Sequence, residues 1–552
     1  MPRSLVVGAI VSMALFISSA ATTGGTDTTA LLDVDVAIVG NGPAALLLAT
    51  TLDGNLPHLN ASNGGSLWQR ADAALAAFAG GPDGAFWRSV RAMRAQSKGQ
   101  GGTDMPLTDF DLAALAEGVG ARCVNPTAAF VDKLRFPVAD GGGASLLAFR
   151  AHPDRALPHV VIGAGAPGGS WYDMSASTLS LSPAHWMALP GVGAPGLQPA
   201  AVRLEPVRGR VLRARVGAYY EAYAEQVVGA SAQLRGRVVR VEPPGAGGGT
   251  ADVPNATMCT TGGRRWALHV EAAGGASTTT VRARAVVLAT GSYDVPRRLG
   301  IPGEGLPFVG HRTPPPPAPA PAASPQRLLV VGAGLSAADA IIGWLALDGS
   351  FAAAAATREV FHVFRGAPGD QKVVKMFGGS SPGGMYGGEA TLARLMRGRA
   401  HPRYTPFPRA RLASIGDDGE CTVVAADDDA VLARVRATAV AILIGASPDL
   451  SFLPSSIRSR LPAAPVTGLV KTNGESSSHP LHVRVDPATF EVVDDNTHEA
   501  LFPGELFAVG PLRGDNFVRF VVGDAYGVAR RLMARREEGG GRGGGGGGGD
   551  DA

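Results

Sequence analysis

Two glycine-rich turns constrain the fold of this chain more than any other feature. Each follows a short apolar strand and precedes an apolar helix; the first reads GNGPAA from Gly40 to Ala45, and the second reads GAGLSA from Gly332 to Ala337. Both fit GxGxxA, a pattern typical of a strand–turn–helix unit that binds the pyrophosphate of a dinucleotide. Two such units predict an α/β protein with two Rossmann-like dinucleotide-binding domains.

The spacing gives each position in a turn its own role. The first glycine lets the chain turn tightly off the strand, the second lets the backbone approach a pyrophosphate, and the alanine keeps the helix close to the sheet. One match would be weak evidence in a chain with 76 glycines, but the repeat of the whole pattern strengthens it. The candidate residues are Gly40, Gly42 and Ala45 in the first unit, and Gly332, Gly334 and Ala337 in the second. An enzyme that holds a flavin dinucleotide and a nicotinamide dinucleotide needs two such units.

The strand after the second turn offers a candidate specificity residue. It is predicted to end at Arg365. An arginine at this place can pair with the 2′-phosphate of NADPH and offers no acceptor to the ribose hydroxyls of NADH. Arg365 therefore predicts a preference for NADPH over NADH. The alternative interpretation is that Arg365 is a solvated arginine at the end of a strand, with no role in cofactor binding.

Composition excludes several other classes of protein. The chain has 50 basic and 47 acidic residues and no basic tract, which argues against a nucleic-acid binder held by phosphate contacts. Its three cysteines, at positions 123, 259 and 421, are far apart and form no CxxC, so neither a local dithiol centre nor a cysteine metal site is expected. No convincing triad or carboxylate pair stands out, so no catalytic side chain is assigned.

The N-terminal 30 residues read as a signal peptide or an N-terminal anchor. Arg3 precedes an apolar run from Leu5 to Ile17, and small residues follow it. The run is short for a membrane span. If it acts as a signal, the protein enters the secretory pathway or associates with the endoplasmic reticulum, and an anchor would bring membrane association. The alternatives are a mispredicted start or another targeting segment, and without a signal the protein is expected to be cytoplasmic.

Three further segments resemble those of flavin-containing monooxygenases. Residues 168–171 are similar to their GGxW segment, where the glycines and the aromatic ring lie near the flavin. Residues 288–291, with Pro296 beyond them, resemble the ATG hinge between the flavin and NADPH domains, and residues 444–453 resemble the return hinge. This resemblance implies that cofactor contacts are made by Gly168, Gly169, Trp171, Thr290 and Gly291.

A closer resemblance is to the oxidative stress-induced growth inhibitor family, a branch of flavin monooxygenase-like proteins. It is carried, in the family's order, by IVGNGPAA, PGGSWYDM with the later HWMALPG, VVLATGSYDVPRRLGIPGE, VVGAGLSAADA and LFAVGPLRGDNFVRF. The last segment implies that Gly510 returns beside the flavin, with Asp515 or Asn516 near its ribityl chain or ring edge. The alternative for Asp515 and Asn516 is a capped turn.

The resemblance also implies the domain organisation, in which an NADPH domain is inserted into a FAD domain. After the N-terminal segment 1–30, the chain is expected to divide into the first part of the FAD-binding domain (31–300, with a helical insertion at 55–157), a Pro-rich linker (301–326), the NADPH-binding domain (327–445), the second part of the FAD-binding domain (446–535) and a disordered Gly-rich tail (536–552).

The function implied is that of an FAD- and NADPH-dependent monooxygenase acting on a small molecule and dioxygen. The alternative is a flavin-fold regulatory or sensor protein in growth or stress control, with little or no turnover. Two departures from the flavoprotein pattern allow this alternative. The apparent second strand of the first unit ends in Gly163-Ala164-Gly165 rather than in an acid that would bind the adenosine ribose, and Pro314 replaces a signature histidine, which leaves His311 as an expected loop residue.

Overall fold

The structure is a computed structural model. It describes residues 30–59, 81–99, 105–119, 125–137, 145–174, 178–190, 204, 206, 209–245, 265–275, 277–315, 325–347, 357–379, 385–462, 470–472, 475–477 and 483–540. Residues 1–29, which hold the predicted signal or anchor, lie outside this part of the chain. Within the described ranges, no helix combines the length and apolarity needed to cross a membrane.

Strands and helices alternate along most of the chain. The strands are β1 (Ala30–Val39), β2 (Asn55–Leu59), β3 (Leu147–Ala151), β4 (His159–Gly163), β5 (Leu179–Pro183), β6 (Arg210–Leu212), β7 (Gln233–Arg235), β8 (Arg237–Glu242), β9 (Trp266–Glu271), β10 (Thr278–Leu288), β11 (Val295–Pro296), β12 (Val309–Gly310), β13 (Gln326–Val331), β14 (Arg358–Phe364), β15 (Tyr404–Pro408), β16 (Ala410–Ile415), β17 (Glu420–Ala425), β18 (Val431–Arg436), β19 (Ala439–Ile442), β20 (Ala446–Ser447), β21 (Val470–Thr472), β22 (Glu475–Ser477) and β23 (Leu506–Ala508). The helices are α1 (Pro43–Leu52), α2 (Gly81–Gly99), α3 (Leu112–Leu115), α4 (Pro126–Arg135), α5 (Ala184–Met187), α6 (Arg213–Tyr223), α7 (Leu335–Leu345), α8 (Lys372–Phe377), α9 (Gly387–Met396), α10 (Ser455–Arg458) and α11 (Val518–Gly540).

The first sheet is built around β1 and has the order β7-β4-β1-β10-β9-β8. Strands β4, β1, β10 and β23 run parallel, and β9 and β8 continue the sheet antiparallel. Because alternate side chains of a strand point to opposite faces, Val36 and Ile38 pack into one hydrophobic core while Ala37 and Val39 pack into another. Cores on both faces explain why the end of β1 is a continuous apolar run.

The insertion after β2 shares a core with the first domain. Phe86 on α2 and Phe130 on α4 lie in the same apolar cluster as α1 and α11. A buried ion pair also joins the insertion to the last helix: Arg519 on α11 donates from Nε to Oδ1 of Asp132 on α4 at 2.7 Å, and its Nη2 contacts the other carboxylate oxygen. The insertion is therefore packed on the first domain along its helices.

The second sheet has the order β12-β19-β13-β14-β15, with all its strands parallel. Helices α7, α8 and α9 share a core on one face, and β16 and β17 share a core on the other. Its edge strand β12, Val309–Gly310, falls inside the predicted Pro-rich linker, so part of that segment belongs to the second domain. A two-residue edge strand has too weak a pattern to be recognised in a stretch rich in proline.

The two connections between the domains lie side by side. Strand β11 in the outgoing connection pairs antiparallel with β20 in the returning one, with Val295 opposite Ser447 and Pro296 opposite Ala446. The first sheet holds β10 before this crossing and β23 after it. The predicted fold class, with a second Rossmann-like domain inserted into the first, is confirmed.

The expected disorder of the C-terminal tail does not begin where the sequence predicts. Helix α11 continues to Gly540, five residues into the segment 536–552. Residues 534–538, which read ARREE, contain no helix-breaking glycine or proline, so the helix passes the boundary before the glycine run begins. Residues 541–552 lie outside the described part of the chain.

Candidate functional site

The carboxyl ends of four adjacent parallel strands meet at one edge of the first sheet. The strands β4, β1, β10 and β23 lead there into residues 164–171, the first glycine turn, Thr290-Gly291 and Gly510, respectively. Open α/β sheets bind their ligands at this edge. The fold thus brings together sequence segments that lie as much as 470 positions apart.

Gly40 is required by the fold itself. Its φ of +111° lies in a region that side-chain-bearing residues rarely adopt, and a Cβ there would overlap the carbonyl group of Ala289. The first glycine therefore allows β1 to turn while it touches the end of β10.

Gly42 is different, because its backbone would accept any residue. Its φ is −74° and its ψ is 178°, and a Cβ at this position would meet no atom of the described residues within 4 Å. It is the N-cap of α1, and as a glycine it has no side chain to cap the first amides of the helix. The first turn of α1 also contains no acidic residue. Open space in front of an uncapped helix N-terminus fits a pyrophosphate.

The second unit repeats this arrangement. Gly332 has φ +123°, and a Cβ on it would overlap the carbonyl of Leu443, which follows β19. Gly334, at φ −85° and ψ −174°, faces open space at the N-cap of α7. The third positions, Ala45 and Ala337, are both buried against their sheets. Both units therefore have the cradle that a dinucleotide phosphate needs.

The GGxW segment lies directly against the first turn. The Gly168 N–H donates to the carbonyl of Asn41 at 2.9 Å, and a Cβ on Gly169 would lie 3.3 Å from the Cα of Gly42. The Trp171 ring faces Tyr220 on α6, with 6.4 Å between the ring centroids. The two glycines are thus at the candidate flavin site, and the tryptophan links that site to α6.

Thr290 has a hydroxyl group that no described protein group binds. Its Oγ1 is buried and has no hydrogen-bond partner in the part of the chain that the structure describes. A buried hydroxyl without a partner costs free energy unless a ligand satisfies it. Gly291 follows at the start of the crossing to the second domain, with φ +78°. These two predicted residues fit a bound cofactor.

The late segment returns beside α1, as the sequence implies. A Cβ on Gly510 would lie 3.2 Å from the Cβ of Ala44, and the Gly510 N–H donates to Oδ2 of Asp524 at 2.8 Å. Arg513 donates to the other oxygen of Asp524 at 2.6 Å and lies 3.7 Å from the carboxylate of Asp515. Asp515 is therefore part of a buried charged group that holds the segment in place.

Asn516 is exposed and engaged with protein groups. Its Oδ1 accepts from the hydroxyl of Tyr293 at 3.0 Å, and its Nδ2 donates to the carbonyl of Gly514 at 3.1 Å. Tyr293 follows the outgoing hinge, so this contact ties the late segment to the crossing between the domains. Both side chains thus contact protein groups, and their place near the flavin stays a prediction.

The usual place of a ribose-binding acid is covered by Asn41. Its Nδ2 donates to the carbonyl of Gly165 at 2.8 Å, and a Cβ on Gly163 would overlap its side-chain amide. Residues 164–171 contain no carboxylate. His311, in contrast, has the loop role expected of it, since its Nε2 contacts Oε1 of Glu304 at 2.8 Å, and Glu304 also accepts from the backbone of Leu299 and Gly300.

Arg365 lies where the sequence places it. It is the first residue after β14, which pairs with β13 directly beside the second glycine turn, and it is exposed. This position fits recognition of a dinucleotide bound at Gly334.

The sequence did not predict a buried interaction between the two domains. Arg210 on β6 of the first domain forms a 2.6 Å ion pair with Glu389 on α9 of the second. Arg210 also donates to the carbonyl of Ser180 at 2.5 Å, and Tyr386 beside α9 donates to the carbonyl of Leu181 at 2.7 Å. We call Arg210, Glu389 and Tyr386 the interdomain clasp. No local pattern marks it, because its partners are about 180 positions apart in the sequence.

Asp339 brings a second carboxylate to the clasp. It lies on α7, five residues after Gly334. Desolvation raises its pKa to about 7; Arg210 acts in the opposite direction, and Glu389 adds to the increase. Asp339 on the helix of the second glycine turn is therefore electrostatically coupled to Arg210 and Glu389 of the clasp.

We predict that Asp339→Asn stabilises the protein at alkaline pH. The folded-state pKa lies above the ordinary value of 3.8, so folding favours the protonated acid. Stability is then lost as pH rises from about 4 to about 7, and the loss is complete above pH 7. Thermal unfolding at pH 8 should show a higher midpoint for Asp339→Asn than for the wild type, with a smaller difference at pH 5.

The exposed residue Asp370 in the same domain supplies the control. Asp370→Asn should shift the midpoint little at either pH. A difference between Asp339→Asn and the wild type that stays constant from pH 5 to pH 8 would contradict the prediction.

Part of the chain matches a known family model. Residues 275–360, which include the outgoing hinge and the second glycine turn, match the family model described as pyridine nucleotide-disulphide oxidoreductase. Among solved structures, ornithine hydroxylase from Pseudomonas aeruginosa is 12% identical with a TM-score of 0.48, covering 92% of this chain and 100% of that chain.

Two curated relatives match nearly the whole chain. The human oxidative stress-induced growth inhibitor 1 is 30% identical over 519 residues, which cover 91% of this chain and 95% of the human protein. The corresponding protein of Mus musculus is 31% identical over 519 residues, with the same coverage of both chains. With its two dinucleotide-binding domains and this extended similarity, the chain belongs to the oxidative stress-induced growth inhibitor family.

Proposed function

We propose that this protein is a flavin-dependent monooxygenase that binds FAD on its first unit and NADPH on its second. The observation that carries the proposal is the repeated cradle. In each unit, a glycine faces open space in front of an uncapped helix N-terminus at the carboxyl end of a parallel sheet. Two such cradles joined by a paired crossing suit an enzyme that passes electrons from one dinucleotide to the other.

The residues of the first unit would hold the flavin. The amides at the start of α1 face the pyrophosphate position, and Gly169 packs beside Gly42 without a side chain that would fill it. The Thr290 hydroxyl, which lacks a protein partner among the described residues, is available to the cofactor. When bound, FAD and NADPH supply the redox chemistry, which is hydride transfer followed by reduction of dioxygen.

The second unit and the clasp would orient the nicotinamide dinucleotide. Gly334 and the start of α7 face the phosphates, and Arg365 stands where it can reach a 2′-phosphate. The clasp and the β11–β20 pair fix one domain against the other, which keeps the two cradles in register. The protein's contribution is then orientation and exclusion of water, with a small-molecule substrate and dioxygen as the reactants.

Other flavoenzyme classes fit the chain less well. Dithiol reductases share the two-dinucleotide architecture, but they need a CxxC motif that this sequence does not contain. Simple flavin oxidases have no need of the second cradle. The monooxygenase class uses both cradles and requires no further catalytic side chain.

A second candidate is a regulatory flavin-fold protein with little turnover. The specific observation in its favour is Asn41, which covers the end of β4 where a ribose-binding acid usually stands. Its curated relatives are named for growth inhibition induced by oxidative stress. Such a protein would sense a bound dinucleotide rather than turn it over.

We predict that Gly42→Val expels the flavin and leaves the fold intact. The backbone angles of Gly42 suit valine and the new Cβ meets no protein atom, so the side chain occupies only the pyrophosphate space. The ratio of flavin to protein absorbance should fall to near zero with an unchanged circular dichroism spectrum. The matched control is Gly334→Val, which makes the same change in the second unit and should keep its flavin. Full flavin content in Gly42→Val would overturn the assignment of the first unit.

We predict that Arg365→Ala weakens NADPH selectively. A charge-assisted contact between arginine and phosphate contributes about 1.5 to 3 kcal/mol, so the KM for NADPH should rise about ten-fold to a hundred-fold. The KM for NADH should stay nearly unchanged. Steady-state kinetics with both cofactors measures this, and exposed Arg399 provides the control variant Arg399→Ala. Equal losses for NADPH and NADH would mean that Arg365 is structural.

The reaction itself is tested with an oxygen electrode. Protein, FAD and NADPH in aerated buffer should consume oxygen and release hydrogen peroxide when no substrate is present, because no second reactant captures the electrons. Gly334→Val should abolish this uptake, since it fills the NADPH cradle. Wild-type protein that takes up both cofactors but consumes no oxygen would favour the regulatory candidate or a reductase.

A further inference from the structure

A buried histidine lies directly beneath the second glycine turn. His362 is on β14, and its Nε2 is 2.6 Å from the carbonyl oxygen of Gly332. Its Nδ1 is 2.8 Å from the hydroxyl of Tyr404 on β15. His362 is only 1% exposed and Tyr404 only 4%, so neither group exchanges its partner for water.

The two contacts determine where the ring proton lies. Desolvation lowers the pKa of His362 to about 4, so the ring is neutral at physiological pH and carries one N–H. A carbonyl oxygen can only accept, so the proton is on Nε2 and points at Gly332. Nδ1 then accepts from Tyr404, whose hydroxyl keeps its own proton because burial raises its pKa. The Gly332 carbonyl thus selects the Nε2–H tautomer, and the hydroxyl of Tyr404 satisfies Nδ1 in that tautomer.

The bond to the carbonyl also sets the direction of the next amide. A trans peptide is planar, and its C=O and N–H point in opposite directions. Because the Gly332 carbonyl is drawn inward to His362, the N–H of Ala333 points away from the protein core. The next residue, Gly334, also borders open space, since a Cβ on it would meet no atom of the described residues within 4 Å.

The first unit shows that such support is not a general requirement of the turn. The Gly332 N–H donates to the carbonyl of Val363, and the Gly40 N–H donates to that of Ile162. His362 precedes the acceptor in the second unit, and Val161 precedes the acceptor in the first, so the two positions are equivalent. Val161 has no hydrogen-bonding side chain. The histidine is a feature of the second unit alone.

We infer that His362 is a positioning residue for the dinucleotide of the second unit: it fixes the Gly332 carbonyl and so presents the Ala333 N–H to a phosphate of the ligand. This inference rests on the proposed function, in which that unit binds NADPH. His362 acts through the backbone and does not itself touch the ligand.

The test is binding of NADP⁺ to the purified, flavin-loaded protein by isothermal titration calorimetry. Losing one hydrogen bond that orients the turn should weaken binding about three-fold to ten-fold in His362→Leu. His362→Gln keeps an N–H near the position of Nε2 and should restore binding to within about two-fold of the wild type. Tyr404→Phe leaves Nδ1 of the buried ring without its donor, which loosens the ring under the turn, and should give an intermediate loss.

Flavin content and the thermal midpoint are measured for the same variants. We expect His362→Gln and Tyr404→Phe to retain the flavin and to differ from each other in NADP⁺ affinity more than in stability. If His362→Leu does not fold, these two variants decide the matter. NADP⁺ affinity equal to that of the wild type in every folded variant would overturn the inference alone, as would a parallel loss of flavin and NADP⁺. Absence of NADP⁺ binding to the wild type would instead overturn the proposed function.

Discussion

The close approach of a glycine to the end of a neighbouring strand is the constraint on which the rest of the structure depends. Gly40 touches the carbonyl of Ala289, and Gly332 touches that of Leu443, with no room for a Cβ at either position. This contact forces the chain off the strand so that the next helix begins over the edge of the sheet. The second glycine and the helix amides are left facing open space, where a dinucleotide phosphate is stabilised. Binding geometry at both sites is thus a consequence of backbone packing.

Transfer of electrons between the two dinucleotide sites requires that the two domains be held in a fixed arrangement. The paired strands β11 and β20 keep the two crossings side by side, and the buried pair of Arg210 and Glu389 joins the domains at a second place. A buried ion pair is costly unless its geometry is good, and Arg210 is further satisfied by backbone carbonyls of its own domain. Desolvation raises the pKa of Asp339, beside this contact, to about 7. The domains are therefore joined at two separate places.

The sequence predicted the features that depend on neighbouring residues. It did not predict the contacts between residues that are far apart in the sequence. The glycine turns, the strands beside them and both hinges were predictable because a buried parallel strand and a tight turn each leave a short sequence signature. The clasp and the support of Gly332 by His362 join residues far apart in sequence, so no spacing marks them. The resemblance places Asp515 near the flavin, and the structure adds a contact of its carboxylate with Arg513 at 3.7 Å that the sequence did not indicate. The boundary of the Gly-rich tail was predicted from composition at residue 536. Helix α11 continues to Gly540 because residues 534–538 contain no glycine or proline that would end it.

The central claim is that electrons pass from a nicotinamide dinucleotide on the second unit to a flavin on the first. Its most direct test is an anaerobic titration of the purified, FAD-loaded protein with NADPH, followed by flavin absorbance near 450 nm, the usual band of oxidised flavin. The account predicts a yellow protein that bleaches with about one equivalent of NADPH, since one hydride carries the two electrons that reduce one flavin. A protein that takes up no FAD, or one whose bound flavin stays oxidised in excess NADPH, would contradict it.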